Sequence, residues 1–170
     1  MRIVVIGNSG GGKSTLARRL ARELELPVYE VDKLLWDANW ELVGEADYTA
    51  AHSNLIGQSK WVIDGLGRQN SIASRLASAT HIVLVDFPLW QHYWLAAKRE
   101  LDWLKGETVD LPAGLSEPPP TKALFETIWT VDRNWLPEIR DRIDAAEKAG
   151  TSVFRLRSAD ELNDFRIAGY

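Results

Sequence analysis

Hydrophobic and polar positions follow two different periods along this chain, and the two periods alternate. Short apolar runs rich in β-branched residues predict buried strands, and they occur at Arg2–Ile6, Val28–Val31, Trp61–Asp64, His81–Asp86 and Ser152–Leu156. Between these runs, apolar residues recur every three or four positions, which is the spacing of an amphipathic helix. Strands that alternate with helices predict an α/β domain in which helices cover both faces of a five-stranded parallel sheet.

The helical spacing predicts a first helix directly after the first strand, with Leu16 and Leu20 on its apolar face. Further helices are expected at about Glu45–Gln58, Ser71–Ser78, Leu89–Lys105, Thr121–Ala149 and after Ser158. Pro137 predicts a kink or a break in the longest of them. The helix from Leu89 carries an apolar stripe that we expect to face the core: Trp90, Trp94, Ala97, Leu101 and Leu104.

Two stretches follow neither period and are predicted to be loops. Trp36 and Trp40 lie in the first loop, close to Asp32, where they are candidates for the wall of an acceptor pocket. Gly106–Pro120 contains two glycines and four prolines, a composition typical of loops. Long loops in compact domains often close over ligands, although a surface insertion without a role is an alternative. We predict one domain over 1–170, with an acceptor-binding region at about 36–58 and a lid at about 105–121.

Composition excludes several classes of function. The net charge of −4 argues against a large nucleic-acid footprint, and no helix-turn-helix or basic stripe is visible. The absence of cysteine excludes disulfides, thiolate metal sites and thiol catalysis. Since no segment approaches eighteen consecutive apolar residues, we expect a cytoplasmic protein without a membrane partner.

The segment between the first strand and the first helix has the spacing G-x-x-x-x-G-K-[ST] of a phosphate-binding P-loop. It comprises Gly7, Asn8, Ser9, Gly10, Gly11, Gly12, Lys13, Ser14 and Thr15. Glycines allow backbone N–H groups to converge on phosphates, and the N-terminus of the following helix favours negative charge. Lys13 is expected at the β- and γ-phosphates, Ser14 at Mg²⁺ and Thr15 at the α-phosphate. The motif therefore predicts a binding site for ATP and Mg²⁺.

Carboxylates follow the strands at the same edge of the predicted sheet. Asp64 ends the third strand and Asp86 the fourth, and either can hold the metal through its waters; we favour Asp64. Asp32 follows the second strand and can orient or deprotonate an acceptor hydroxyl, unless it only caps the following turn. Arg68 can form a bidentate pair with an anionic acceptor, unless it is a surface residue.

Four basic residues flank the proline-rich loop, namely Lys98, Arg99, Arg133 and Arg140. One of them can stabilise charge on the transferring phosphoryl group, and we select Arg133 as the candidate catalytic residue. Arg133 and Arg140 share a helix face only if the helix continues through Pro137. The histidines show neither metal-binding spacing nor a nucleophilic partner, so we interpret them as structural.

The chain resembles the adenylate-kinase-like branch of P-loop proteins. Within that branch it is most similar to the small FlaR-like family, often labelled topology-modulation proteins. The segments that carry the resemblance are Ile6–Thr15, Val31–Trp36, Trp61–Gly65, Val85–Trp90, Ile128–Asn134 and Leu156–Ser158. They extend over nearly the whole chain.

The resemblance implies roles for several residues. The third strand of adenylate kinases ends in Asp-Gly-Phe-Pro-Arg, which implies a metal-side role for Asp64 and a phosphate-binding role for Arg68. It also implies that 157–159 contact adenine and that 106–120 form the lid. Lids of these kinases usually carry arginines, whereas 106–120 contain no Arg or Lys. Either a flanking arginine replaces them, or phosphoryl transfer is slow or absent.

These observations predict a three-layer P-loop kinase with strand order 2-3-1-4-5. It would transfer phosphate from ATP, with Mg²⁺, to a small-molecule or nucleotide acceptor. The alternative is a nucleotide-binding regulator with weak or no transferase activity, which the charge-poor lid favours. A GTPase is disfavoured because no Asn-Lys-x-Asp sequence occurs.

Overall fold

Strands and helices alternate along the chain as the two periods predict. The computed structural model describes residues 1–35, 41–105 and 121–167, apart from the side chain of Trp103; the loop predictions for Trp36, Trp40 and Gly106–Pro120 lie outside them. The strands are β1 (Arg2–Gly7), β2 (Val28–Glu30), β3 (Trp61–Asp64), β4 (His81–Val85) and β5 (Ser152–Leu156). The α-helices are α1 (Lys13–Glu23), α2 (Glu45–Ile56), α3 (Gln69–Ser78), α4 (Leu89–Leu104), α5 (Thr121–Thr130), α6 (Leu136–Lys148) and α7 (Ala159–Asp164).

The sheet is parallel throughout and has the order β2-β3-β1-β4-β5, which confirms the predicted topology. The central strand β1 lies between β3 and β4, with Val5 beside Asp64 and Gly7 beside Val85. Because all the strands run in one direction, their carboxyl ends meet at one edge. The P-loop after β1 and the carboxylate that ends β3 are therefore neighbours.

The core lies on both faces of this sheet, which explains why β1 is apolar at consecutive positions. On one face, Ile3 and Val5 pack in a cluster with Leu16 and Leu20 of α1. The opposite face carries Val4 and Ile6, packed in a cluster with these residues of α3 and α6: Ile72, Leu76, Leu136, Ile139 and Ile143. The predicted three-layer arrangement is confirmed.

Helix α4 has the opposite orientation to the one predicted. The large residues of its apolar stripe are exposed: Trp90 68%, Trp94 65%, Leu101 56% and Leu104 72%. The helix instead buries His92 and Ala96, which are 1% and 0% exposed. The prediction that the stripe faces the core is wrong, because helical spacing identifies an apolar face without identifying what packs against it.

The break predicted near Pro137 is present as a π-helical turn, Val131–Trp135, between α5 and α6. Pro137 follows it at the second position of α6, and its missing N–H removes one bond to the preceding turn at this junction. A π-helical turn changes the angular position of the residues that follow it. Arg133 consequently lies over the Trp129 ring at 4.7 Å, whereas Arg140 forms an ion pair with Asp86.

Candidate functional site

The P-loop makes close backbone contacts that only glycine permits. Gly7 and Gly10 have positive φ angles of 148° and 78°. A Cβ atom on Gly7 would lie 2.3 Å from the Val85 carbonyl oxygen, and one on Gly10 would lie 2.9 Å from the His92 carbonyl oxygen. The loop therefore passes tightly against the end of β4 and the first turns of α4 before it enters α1. The N-terminus of α1 completes a cradle suited to phosphate groups.

Two buried side chains fix the conformation of this loop. Asn8 is fully buried; its Nδ2 donates to the Ile128 carbonyl oxygen at 2.8 Å, and its Oδ1 accepts from the Ser9 N–H at 2.8 Å. His92 Nδ1 lies 2.9 Å from the Ser9 carbonyl oxygen, so it must be the donor. Burial lowers the pKa of His92, which favours the neutral ring. Helices α4 and α5 thus hold the P-loop from two sides.

We predict that Asn8→Ala destabilises the protein by about 1–3 kcal/mol, because the buried Ile128 carbonyl and the partly buried Ser9 N–H lose their partner. The Mg²⁺–ATP dissociation constant should rise about tenfold if the loop amides are no longer held in place. Urea unfolding and nucleotide titration measure the two effects. Asn70→Ala is the matched control, because the Asn70 bond to Glu45 is exposed. Equal effects of both variants would contradict the role of Asn8.

Lys13, Ser14 and Asp64 meet at the start of α1. Lys13 Nζ donates to the Asn8 carbonyl oxygen at 2.7 Å, and Ser14 Oγ donates to Asp64 Oδ2 at 2.6 Å. Asp64 is only 3% exposed, and its Oδ1 has no hydrogen-bond partner among the described residues. Burial raises the pKa of Asp64 to about 6, although the Lys13 charge and the Ser14 hydrogen bond oppose this effect. A bound cation beside Asp64 would stabilise its ionised form further.

Asp86, the other candidate for the metal-side acid, has a different environment. Its Oδ1 accepts from Arg140 Nη2 at 2.6 Å and from Arg140 Nε at 3.1 Å. Its carboxylate is thus already paired with a guanidinium group, whereas that of Asp64 is bonded to the P-loop serine. This geometry favours Asp64 as the metal-side acid.

The donor set fits Mg²⁺ better than a metal held by a protein cage. Over the described ranges 1–35, 41–105 and 121–167, no group of three or more His, Cys, Asp or Glu residues is placed to hold a metal ion. Mg²⁺ in phosphate sites commonly uses one or two protein oxygens together with water and phosphate oxygens. The Ser14 hydroxyl lines the cavity and is a donor of this kind, and Asp64 lies behind it as its buried hydrogen-bond partner.

Asp32 caps a turn, which is the alternative considered for it, and its acceptor role stays a prediction. Its Oδ1 accepts from the Leu66 and Gly67 N–H groups at 3.2 and 2.8 Å, so it caps the turn after β3. The residue is exposed and lines the same cavity as Lys13. A carboxylate that faces the phosphate cradle across a cavity is well placed to bind an acceptor group.

Arg68 is half-buried against α2 and the segment before it. Its Nη2 donates to the Val43 carbonyl oxygen, and its guanidinium lies 5.4 Å from the centre of the Tyr48 ring. It is absent from the cavity lining within the described chain. Its predicted pairing with an anionic acceptor would require the side chain to leave these contacts.

Arg75 was not identified from the sequence, and its side chain holds the turn after β3 that Asp32 caps. The residue is fully buried, and its Nη2 donates to the carbonyl oxygens of Gly65 and Leu66 at 3.0 and 2.8 Å. Burial lowers the pKa of Arg75, while Asp32 and Asp64 oppose that shift. In sequence, Arg75 is indistinguishable from a surface arginine near the end of α3, so no local signal identifies it.

A cavity of about 420 Å³ lies between the P-loop, Asp32 and residues of α4, and within the described chain Asp64 is not part of its lining. Its lining includes Asp32, Leu95, Lys98, Arg99, Asp102 and these P-loop residues: Ser9, Gly10, Gly12, Lys13, Ser14 and Thr15. Of the four basic residues that flank the proline-rich loop, Lys98 and Arg99 are in the lining. Arg133 and Arg140 are not, within the part of the chain that the structure describes.

Comparisons with solved structures show the fold. The chain has a TM-score of 0.52 and 13% identity to a shikimate kinase from Bacteroides thetaiotaomicron, covering 96% of this chain and 92% of that one. The TM-score is 0.50, with 17% identity, for a shikimate kinase from Acinetobacter baumannii in complex with shikimate, covering 87% and 89%. A gluconokinase from Sinorhizobium meliloti has a TM-score of 0.45 with 18% identity, covering 87% and 94%. The first two likenesses show that the fold is shared with small P-loop kinases.

The sequence itself gives no match at the family level. No protein-family profile matches the chain, and no curated protein matches its sequence. The resemblance to FlaR-like proteins is therefore not confirmed, and neither is the topology-modulation label. Within the described ranges, none of the helices combines the length and apolar character that a membrane crossing requires.

Proposed function

We propose that this protein is a kinase that uses ATP and Mg²⁺ to phosphorylate a small-molecule acceptor. The observation that carries the proposal is one cavity shared by the P-loop, Asp32 and two cations of α4. Phosphoryl transfer depends on positioning and charge neutralisation, and this set of groups supplies both. The fold shared with the two shikimate kinases supports the same reaction class.

The P-loop side would bind the phosphate donor. Loop amides and the N-terminus of α1 hold the phosphate oxygens, and Lys13 contributes a positive charge to them. Ser14 and Asp64 would hold the metal, Ser14 directly and Asp64 through water. Bound Mg²⁺ would neutralise charge on the β- and γ-phosphate oxygens. The Ser14–Asp64 hydrogen bond orients both groups towards the same point at the start of α1.

Asp32 would contact the acceptor from the other side of the cavity and bind its hydroxyl group. An exposed carboxylate can accept the proton of an attacking hydroxyl, and two backbone N–H groups hold Asp32 in place. Arg68 is instead bound to Val43 and stacked on Tyr48. These contacts favour a hydroxyl acceptor, such as a sugar or polyol, over a nucleoside monophosphate held by Arg68.

A regulator that binds nucleotide without transferring phosphate is the second candidate. It is favoured by the absence of Arg and Lys from 106–120, the segment expected to form the lid. Such a protein would bind Mg²⁺–ATP through the same P-loop and show no acceptor-dependent release of ADP.

The two functions are separated by ADP release measured with Mg²⁺–ATP and two panels of acceptors. One panel contains sugars, polyols and hydroxy acids, and the other contains nucleoside monophosphates. We expect stimulation by a member of the hydroxyl panel, and loss of that stimulation in Asp32→Asn while ATP binding is retained. Binding of ATP without stimulation by any compound would contradict the kinase function, and stimulation only by monophosphates would contradict the assignment of Asp32.

A further inference from the structure

The exposed face of α4 concentrates the apolar surface of the described chain. Among all the described residues, seven large apolar side chains are exposed. Four of these seven lie on this one face of α4. We call this face the α4 seam and define it as Trp90, Trp94, Ala97, Leu101 and Leu104. Helix α4 buries a separate face through His92 and Ala96, so the domain core does not use the seam.

The spacing of the seam is typical of a helix that pairs with another helix. Its residues follow one another at intervals of four, three, four and three, which is a seven-residue repeat. Over these two heptads the stripe has the spacing of a coiled-coil seam, with two apolar positions per heptad, whereas a core-facing helix usually carries a wider stripe. Ala97 lies at its centre and allows two helix backbones to approach closely.

We propose that the α4 seam binds the α4 seam of a second copy of this chain as a parallel, two-fold symmetric helix pair. The proposal does not depend on the reaction proposed above. A seam that pairs with its own copy must bring identical residues together, which is the requirement for a symmetric dimer.

Charge on the two flanks of the seam selects the parallel arrangement. Lys98 and Lys105 occupy one flank, where Lys98 also lines the cavity, and Glu100 occupies the other, where its Oε2 accepts from Thr121 Oγ1 at 3.3 Å. In a parallel pair, the flank that carries Glu100 faces the lysine flank of the partner helix in the next heptad. Glu100 therefore lies opposite Lys105 of the partner subunit. An antiparallel pair would place the two lysine flanks against each other.

The exposed area suits a weak or moderate dimer. Using typical side-chain areas, the four large seam residues expose on the order of 500 Å² per chain, so a symmetric pair would bury about 1,000 Å² in total. This value is at the lower limit for specific interfaces. The pairing would also place the interface beside the cavity, because the same helix supplies Lys98 and Arg99 to its lining.

The test is the oligomeric state of the full chain by analytical ultracentrifugation from about 1 to 100 μM. We expect a concentration-dependent dimer, and Trp94→Gln should raise its dissociation constant at least tenfold. Trp129→Gln is the matched control, because Trp129 is a 51% exposed tryptophan on α5. Far-UV circular dichroism checks that both variants remain folded. A wild-type monomer throughout this range, or equal effects of the two variants, would overturn the proposal.

Helix orientation is tested by exchanging the charges. Glu100→Lys should weaken the dimer by placing like charges opposite each other, and Glu100→Lys with Lys105→Glu should restore it. Failure of the double variant to restore the dimer would overturn the parallel arrangement. Binding of the seam to neutral phosphatidylcholine vesicles without self-association would identify a lipid surface as the occupant instead, and would overturn the proposal.

Discussion

Replacing Asp64 with asparagine should nearly abolish Mg²⁺-dependent phosphoryl transfer and, at the same time, stabilise the nucleotide-free protein at neutral pH. The first effect follows because the variant loses the carboxylate placed beside Ser14 to hold the metal. We expect a decrease in rate of at least about a hundredfold. Both effects arise because this carboxylate lies beside the P-loop serine and is buried, and the Lys13 charge and the Ser14 hydrogen bond offset only part of the cost of burial.

The stability effect has a definite sign and pH range. Burial raises the pKa of Asp64 to about 6 from an ordinary value of 3.8, so the folded protein binds this proton more tightly than the unfolded chain does. Stability is therefore unaffected below about pH 4, is lost as the pH rises towards 6, and stays lower above it. At 1.36 kcal/mol per pKa unit, the ionisation of Asp64 lowers the free energy of unfolding by about 3 kcal/mol at neutral pH.

Urea unfolding of wild type and Asp64→Asn at pH 4, 6 and 8 measures this effect. The stability of the variant relative to wild type should rise by about 2.5 kcal/mol between pH 4 and pH 8. Asp86→Asn is the matched control and should not be stabilised at pH 8, because it breaks the ion pair with Arg140. A pH profile for Asp64→Asn parallel to that of wild type would contradict the raised pKa.

The layered fold could be predicted from sequence because its signals are local. Each buried strand is a short apolar run, and the P-loop glycines precede a helix with a clear apolar face. The capping box at Ser158 and Glu161 is equally local, and the Ser158 side chain accepts from the Glu161 N–H at 3.1 Å. Such patterns depend only on neighbours within one helical turn.

The parts that escaped prediction depend on distant contacts. The residues near His92 in the sequence do not distinguish it from other histidines. Its hydrogen-bond partner, the Ser9 carbonyl oxygen, lies 83 positions away. The stripe of α4 is apolar in sequence, yet packing of α5 against the other face determines which side is buried. The π-helical turn likewise separates Arg133 from Arg140, although their spacing of seven is compatible with one shared face.

The cation that stabilises the transferring phosphoryl group is predicted to come from α4. Lys98 and Arg99 line the cavity with the P-loop, whereas Arg133 is stacked on Trp129. We expect Arg99→Met to lower kcat about 10²- to 10³-fold and Lys98→Met to lower it at least tenfold, with modest changes in ATP affinity. A larger effect on kcat than on binding is expected because charge on the phosphoryl oxygens is redistributed in the transition state.

These rates would be measured with the acceptor that gives the strongest stimulation of ADP release. Lys122→Met is the matched control, since Lys122 is 87% exposed and pairs only weakly with Glu126 at 3.7 Å. Arg133→Met supplies the competing test of the sequence-based prediction. A loss confined to Arg133→Met would show that Arg133 reaches the phosphates from its π-helical turn. A loss confined to Lys98→Met and Arg99→Met would show that α4 supplies the charge that 106–120 lack.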